Sequence, residues 1–404
     1  MMKNRPVNKF EICLLLLFTV AFFYNSYRYP LMINSSVTSG GTYSDTPFLF
    51  QVGKYLLYVL LMIYMYIHFA VLRIQKGLRT WHAMLLLYLM AAPLIYGVFL
   101  RNLPLLESGF FVAVPLVLLF CRSEKFDYRR AAKALHVLLV VYLLVNAMQM
   151  VMAVVFGRLP ALSRPGSAEI RFGSVLDDPN SFGVLLSFFA GFALCYYNGV
   201  KRCIVVGLIA ISLVMTQSLT AIASTSLVCF VLYRQFLIKS LQKHMAGVLL
   251  SFIAFCSVVF LFKGFLAKVF RGKYSSILGH LDAFSVFDGI SPYTIAGMLP
   301  TGVIGESGYV NFIVNMGGQY VLLFLLLGVM SVRELSRLKG LCSDRSELAV
   351  INATFIFLPT VMVGLLNLPY DQTFPVNAVY YTLIGLVMSG AFRRSLKSNP
   401  CETL

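Results

Sequence analysis

Apolar runs of bilayer length recur from one end of the chain to the other, separated by short polar or basic stretches. Crossing ~30 Å of hydrocarbon takes ~20 largely apolar residues. The pattern predicts twelve such helices, at about 10–28, 52–72, 83–100, 108–121, 134–156, 181–198, 203–218, 219–233, 245–262, 309–330, 349–366 and 377–391. The first is longer than the apolar core of a signal peptide and no small-residue cleavage site stands out after it, so it reads as a transmembrane helix. The expectation is an all-α, polytopic membrane protein with one integral membrane domain over 1–404. No separate soluble domain, low-complexity tract or internal repeat emerges. Most connections are short, but three that fall on one side are long: about 29–51, 157–180 and 263–308.

Composition changes this picture only by exclusion. Hydrophobic residues are 59% of the chain, charged residues 12%, and the mean hydropathy is +0.81, more apolar surface than a soluble 404-residue domain can hide. The net charge of +17 would suit nucleic acid, but its placement argues otherwise. If the spans alternate, seven segments on one side hold 23 of the 33 Lys and Arg, including the run Arg122, Lys125, Arg129, Arg130 and Lys133. Basic residues accumulate on the cytoplasmic side, which predicts both termini there. None of the eight cysteines falls in an outward loop, against a disulfide framework. His280 is the only outward histidine of five, against an outward metal site, and no cofactor is implied.

The outward loops carry the unusual charges. Seven of the ten outward basic residues lie in the second and third long loops: Arg158, Arg164, Arg171, Lys263, Lys268, Arg271 and Lys273. They oppose the orientation bias. Lys263 can snorkel at a span end, and Lys268 can lie on a short interfacial helix within AKVFRGKYSSIL. Arginine forks suit phosphate oxygens, and a lipid-linked diphosphate would present that group at this depth.

Three stretches offer chemistry. RFGSVLDDPNSFG, Arg171 to Gly183, holds a turn and helix start at Asp178-Pro179-Asn180, with Asn180 or Ser181 as N-cap. Asp178 and Asn180 read as parts of a capped helix or as substrate contacts. Arg171 is not needed for a cap and would reinforce an anion site at the helix N-terminus. TQSLTA, Thr216 to Ala221, marks a tight polar return whose hydroxyls suit backbone carbonyls better than substrate. ESGYVNFIVNMGGQY, Glu306 to Tyr320, sets a carboxylate at the mouth of a span. Glu306 is either a helix-dipole carboxylate beside a Ser307 cap or a general base for an acceptor hydroxyl. The Gly- and Pro-rich TIAGMLPTGVIGESG before it predicts an irregular loop over a cavity, with Asp282, Asp288 and His280 as further polar candidates.

The span architecture, RFGSVLDDPNSFG and ESGYVNFIVNMGGQY resemble the O-antigen ligase and O-antigen polymerase superfamily of bacterial inner-membrane glycosyltransferases. RFGSVLDDPNSFG is similar to the family's Arg-x-Gly…Pro-Asn segment. The ligases carry His, then Asn/Ser/Gln, nine residues, Gly, two residues and Gly/Thr/Tyr. Here Glu306-Ser307 is followed at that spacing by Gly317 and Tyr320, with Glu in place of the histidine, which points toward the polymerases.

The resemblance implies a GT-C-like fold of about twelve spans with a large late periplasmic loop. It also implies metal-independent transfer, at the periplasmic face of the inner membrane, of an undecaprenyl-diphosphate-linked glycan onto a lipid-linked repeat unit. In that scheme Glu306 and Arg171 are catalytic. Arg164, Arg271, Lys273, Asn180, Asp178, Tyr309 and His280 bind substrate. The partners are the undecaprenyl-diphosphate-linked oligosaccharide, the bilayer and a chain-length regulator protein, and nucleic acid is not one. A ligase joining the chain to lipid A core is the near alternative. A lipid-linked oligosaccharide flippase is a distant one, since it would call for ionisable groups near mid-span and pseudo-symmetric repeats.

Overall fold

The computed structural model describes residues 9–23, 48–70, 78–121, 126–156, 172–176, 178–243, 283–288, 290–301, 307–370 and 373–397. These form helices α1 (Lys9–Phe23), α2 (Phe48–Phe69), α3 (Leu78–Phe99), α4 (Leu103–Phe120), α5 (Tyr128–Phe156), α6 (Pro179–Tyr196), α7 (Gly199–Met215) and α8 (Leu219–Lys243). They continue with α9 (Pro292–Ile295), α10 (Gly308–Met316), α11 (Gly318–Lys339), α12 (Arg345–Gly364), α13 (Val376–Met388) and α14 (Ala391–Lys397). Among the described residues, six helices are long and apolar enough to cross a membrane: α2 to α6 and α12. The segment 245–262, expected to span, lies outside the described residues.

The lipid-facing logic is visible on α2. Leu56, Leu60, Ile63 and Ile67 recur at helical spacing on one flank and are 55, 54, 50 and 69% exposed. In water such a stripe would be buried; against acyl chains it is at home. The polar-out pattern of a soluble helix is inverted here, as a membrane-embedded helical protein requires.

The core is built on α6, α12 and α13, whose residues are mostly buried. Lipid removes the usual hydrophobic drive between helices, so close packing has to supply the attraction. Gly191 shows how. A Cβ there would sit 2.8 Å from the Asn352 carbonyl oxygen and 2.9 Å from the Ala353 Cα, so only glycine lets α6 and α12 touch this closely. Aromatic rings fill the remaining space, with Tyr142 and Phe188 both packed edge-on against Phe189, and Phe188 reaching Phe357 of α12.

A set of tyrosines joins the helices by one repeated device: each hydroxyl donates to a main-chain carbonyl elsewhere in the fold. Tyr58 bonds Leu17 O (3.1 Å), Tyr142 bonds Phe22 O (3.0 Å), Tyr320 bonds Leu89 O (3.0 Å) and Tyr128 bonds Phe392 O (2.9 Å). Tyr96 reaches Gly297 O at 2.7 Å in the segment after α9.

The helix ends sort into two faces. On one, Arg130 pairs with Glu11 (3.2 Å), Arg129 with Asp344 (3.0 Å), and the Phe126 amide donates to Ser395 Oγ (2.7 Å). All of these lie in or beside segments expected on the basic side. The opposite face gathers the ends of α3, α5, α7 and α12 with the starts of α2, α4, α6, α8 and α10.

One expected span is not continuous. The run 309–330 is two helices, α10 and α11, broken at Gly317, whose φ of +88° and ψ of 163° lie where only glycine is comfortable. The break leaves the end of α10 without helical partners for its last carbonyls. Gln319 meets that need by donating from Nε2 to Met316 O (3.0 Å) and to Ala296 O (3.1 Å), while the Gly317 amide bonds Ile313 O (3.0 Å).

Candidate functional site

The face opposite the basic one brings together stretches far apart in the chain. The short segment 172–176 is pinned on three sides. The Phe172 amide donates to Met215 O at the end of α7 (3.2 Å). Ser174 exchanges two hydrogen bonds with the Gln149 amide of α5, its N–H to Oε1 (3.1 Å) and its carbonyl from Nε2 (2.9 Å). Its hydroxyl donates to Tyr142 O (2.7 Å), which helps hold a non-glycine residue at a φ of +55°.

Asp178 then caps α6. Its Oδ1 accepts from the Asn180 amide (3.0 Å), and its Oδ2 accepts from the Ser181 amide (2.9 Å) and hydroxyl (2.7 Å). The cap is therefore Asp178, not Asn180 or Ser181. Pro179 occupies the first helical position, where its missing N–H is harmless, and the residue before it is the one free to turn outward and cap. Asn180 lies in the first turn and is half-buried.

Beside this start runs the return between α7 and α8. Thr216 donates to Leu213 O (2.7 Å) and accepts from the Ser218 amide (3.2 Å), and Ser218 Oγ accepts from the Ala221 amide (3.3 Å). These hydroxyls serve the backbone, as their spacing suggested. The turn lies against α6 where Gly183 leaves room: a Cβ on Gly183 would be 2.7 Å from Ala221 Cβ and 3.2 Å from Thr216 Oγ1. Thr220 also accepts a hydrogen bond from Asn367 Nδ2, which ties the loop after α12 to the start of α8.

The same loop receives α10. Ser307 caps that helix, its Oγ accepting from the Val310 amide (3.4 Å) and donating to Leu365 O (3.3 Å). The Tyr309 amide also bonds Leu365 O (3.3 Å), and its hydroxyl donates to Met362 O (2.7 Å). Three helix N-termini (α6, α8 and α10) thus open on this face around the C-terminal end of α12. Partial positive charge from aligned peptide dipoles collects at such ends, a setting suited to anions, although Asp178 already occupies the first-turn amides of α6.

Of the residues predicted from sequence, the structure brings Asp178, Asn180 and Tyr309 to this face. Asp178 is a cap, and Tyr309 anchors α10 to α12. Glu306, Arg171, Arg164, Arg271, Lys273 and His280 lie outside the described residues. Glu306 is the chain neighbour of Ser307, and Arg171 that of Phe172, so both adjoin anchored positions in the chain. Asp288 is described, and its amide closes a turn onto Ser285 O (2.8 Å).

Sequence reasoning passed over one buried ionic pair. Lys54 of α2, 7% exposed, places Nζ 3.5 Å from Glu107 Oε1 of α4. The ammonium also lies 4.3 Å from the ring centroid of Phe374 and 4.6 Å from that of Tyr55. The only signal was a lone acid early in an apolar run, with its partner on a different helix. Asn367 was likewise missed, because its link to Thr220 spans 147 positions. Among the described residues no group of three His, Cys, Asp or Glu side chains is placed to share a metal ion.

No family model and no curated protein matches this chain.

Proposed function

We propose that this chain is a surface-polysaccharide polymerase, an O-antigen polymerase in type. It would transfer an undecaprenyl-diphosphate-linked glycan onto a lipid-linked repeat unit. The observation that supports this most is the convergence on one face of residues 178–183 and the Ser307 end of α10, parts of the two stretches that carry the family resemblance. On this reading the chain has twelve spans in a GT-C-like arrangement in the bacterial inner membrane. The basic face and both termini are cytoplasmic, and the face with the helix N-termini is periplasmic.

The chemistry is a single displacement. The acceptor hydroxyl oxygen forms a bond to the donor's anomeric carbon, and the bond from that carbon to the phosphate oxygen breaks. The electron pair leaves with undecaprenyl diphosphate. Arg171 and Arg271, with Arg164 and Lys273, would hold the diphosphate and stabilise its departing charge. Glu306 would take the acceptor proton, and a carboxylate with an ordinary pKa near ~4.3 is ionised and able to do so at neutral pH. Asn180 and His280 would contact sugar. Tyr309 and Asp178 would contribute through position, by fixing the starts of α10 and α6.

A specific observation keeps the ligase in view: the spacing from Ser307 through Gly317 to Tyr320 is that of the ligase motif. Deleting the gene separates the two. Loss of a polymerase leaves lipopolysaccharide with one repeat unit, and loss of a ligase leaves bare core. The direct test is polymerisation of a purified lipid-linked repeat by the purified protein beside Glu306→Gln and Arg171→Ala. Both variants are expected to lose at least about 100-fold in rate, as general acid–base and electrostatic groups do. Full activity in Glu306→Gln would reduce that residue to a helix-end charge.

A further inference from the structure

On the basic face, Lys339 ends α11, and its side chain runs back into the bundle instead of out toward water. Its Nζ donates to Asn352 Oδ1 at 2.9 Å. Asn352 is fully buried and lies seven residues into α12, about 10 Å along the helix axis from its first residue. A lysine at a helix end ordinarily snorkels toward the surface. This one does the reverse.

What surrounds the ammonium is neutral. It lies 4.6 Å from the Phe355 ring centroid and 5.3 Å from that of Tyr233. The Tyr233 hydroxyl donates to the same Asn352 Oδ1 (2.6 Å), and Asn352 Nδ2 donates to Gly191 O (2.8 Å), so both ends of the amide are engaged. An ammonium has three N–H donors. Asn352 takes one, and among the described residues the ammonium's other neighbours are ring faces. Among the described residues no carboxylate lies within ion-pair distance of Lys339. The acids of this face are committed elsewhere. Glu334 meets Arg337 and Arg393, Asp344 meets Arg129, and Glu347 accepts from the amides of Ser343 (2.9 Å) and Asp344 (3.2 Å). A second cation is on the same face, Arg202, exposed in the first turn of α7.

A half-buried cation with one neutral acceptor is incompletely satisfied, and an anion is the natural complement. We propose that Lys339, with Arg202, binds a phosphate group between α8 and the end of α11. Basic pockets between helices at a cytoplasmic leaflet hold anionic lipid headgroups, and a free phosphate ester offers the same chemistry. The inference is independent of the polymerase reading, because the group sits on the opposite face from the site proposed for transfer.

The test uses full-length, delipidated protein in detergent, titrated with dioctanoyl phosphatidylglycerol, with dioctanoylglycerol and with sodium phosphate. Binding is read by native mass spectrometry and by the shift in unfolding temperature. Phosphatidylglycerol is expected to bind and dioctanoylglycerol not to. Lys339→Met should weaken phosphatidylglycerol about five- to ten-fold, and Lys339→Arg should restore most of it. Sodium phosphate binding as tightly as the lipid, and lost with Lys339→Met, would support the site with a soluble phosphate as its ligand. If Lys339→Met does not fold, the exposed Arg202→Gln carries the test and should weaken phosphatidylglycerol about three-fold or more. Equal affinity in wild type and Lys339→Met, or in wild type and Arg202→Gln when the first cannot be made, overturns the proposal. So does equal binding of dioctanoylglycerol.

Discussion

Asp178 separates a structural carboxylate from a chemical one. Its two oxygens accept three hydrogen bonds, from the Asn180 and Ser181 amides and the Ser181 hydroxyl, at 3.0, 2.9 and 2.7 Å. Asp178→Ala removes all three and leaves two first-turn amides of α6 without acceptors. Replacing such a cap by alanine costs about 0.5–2 kcal/mol. The upper part of that range is expected here, because Pro179 and Ser181 are buried and water is a poor substitute. About 1.5 kcal/mol corresponds to roughly a ten-fold shift in the folding equilibrium. Asp178→Ser keeps a good capping oxygen and should recover most of that loss. The assay pairs denaturant unfolding in mixed micelles with polymerisation of lipid-linked repeat, normalised to folded protein. Asp178→Ala is expected to be less stable, and both variants to keep near wild-type turnover per folded molecule. A serine variant that folds like wild type but is inactive would refute it, and would give the carboxylate a direct part in the reaction.

Two further outcomes follow from the geometry. Gly317→Ala forces a side chain into a glycine-only conformation with its Cβ 2.4 Å from Gln319 Oε1 and 2.7 Å from the Gly297 amide nitrogen, a strain of about 1–3 kcal/mol before any clash. Gly318→Ala has ordinary φ and its nearest neighbour at 3.7 Å, so it should be close to neutral; equal loss of thermal stability in both would disprove the break. Burial, with the Glu347 carboxylate adding, pushes the Cys342 thiol up to about 12, so at pH 8 only about one molecule in 10⁴ carries the thiolate. In a Cys401→Ser background, maleimide at pH 8 should modify the exposed Cys203 and spare Cys342; comparable rates at both would contradict the packing between α11 and α12.

Much of the helical framework could be read from hydropathy, because span-length apolar runs leave the backbone few other ways to satisfy its own hydrogen bonds. The sorting of ends was legible too: segments rich in Lys and Arg meet on one face through pairs such as Arg129 with Asp344. The misses share one physical cause, dependence on partners distant in sequence. The break at Gly317 is invisible in an apolar run because it is stabilised by Gln319 reaching Ala296, 23 positions earlier. DDPNS offers several good caps in a row, and the choice of Asp178 depends on where proline fits. Lys54 with Glu107, and Lys339 with Asn352 and Tyr233, join separate helices and leave no periodic trace.

The tyrosine joints carry a consequence for how this fold can change over time. Each hydroxyl of Tyr58, Tyr142, Tyr320, Tyr128, Tyr96 and Tyr309 is received by a peptide carbonyl, which every residue type possesses. The receiving position is therefore under no chemical pressure from the joint itself. Leu17, Phe22, Leu89, Phe392 and Met362 can be exchanged for residues of suitable bulk without any compensating change at the tyrosine. Paired substitutions will not mark these contacts. Methods that infer proximity from correlated changes will miss them, and descendants of this chain can diverge widely at the receiving sites while their helices remain riveted at the same points.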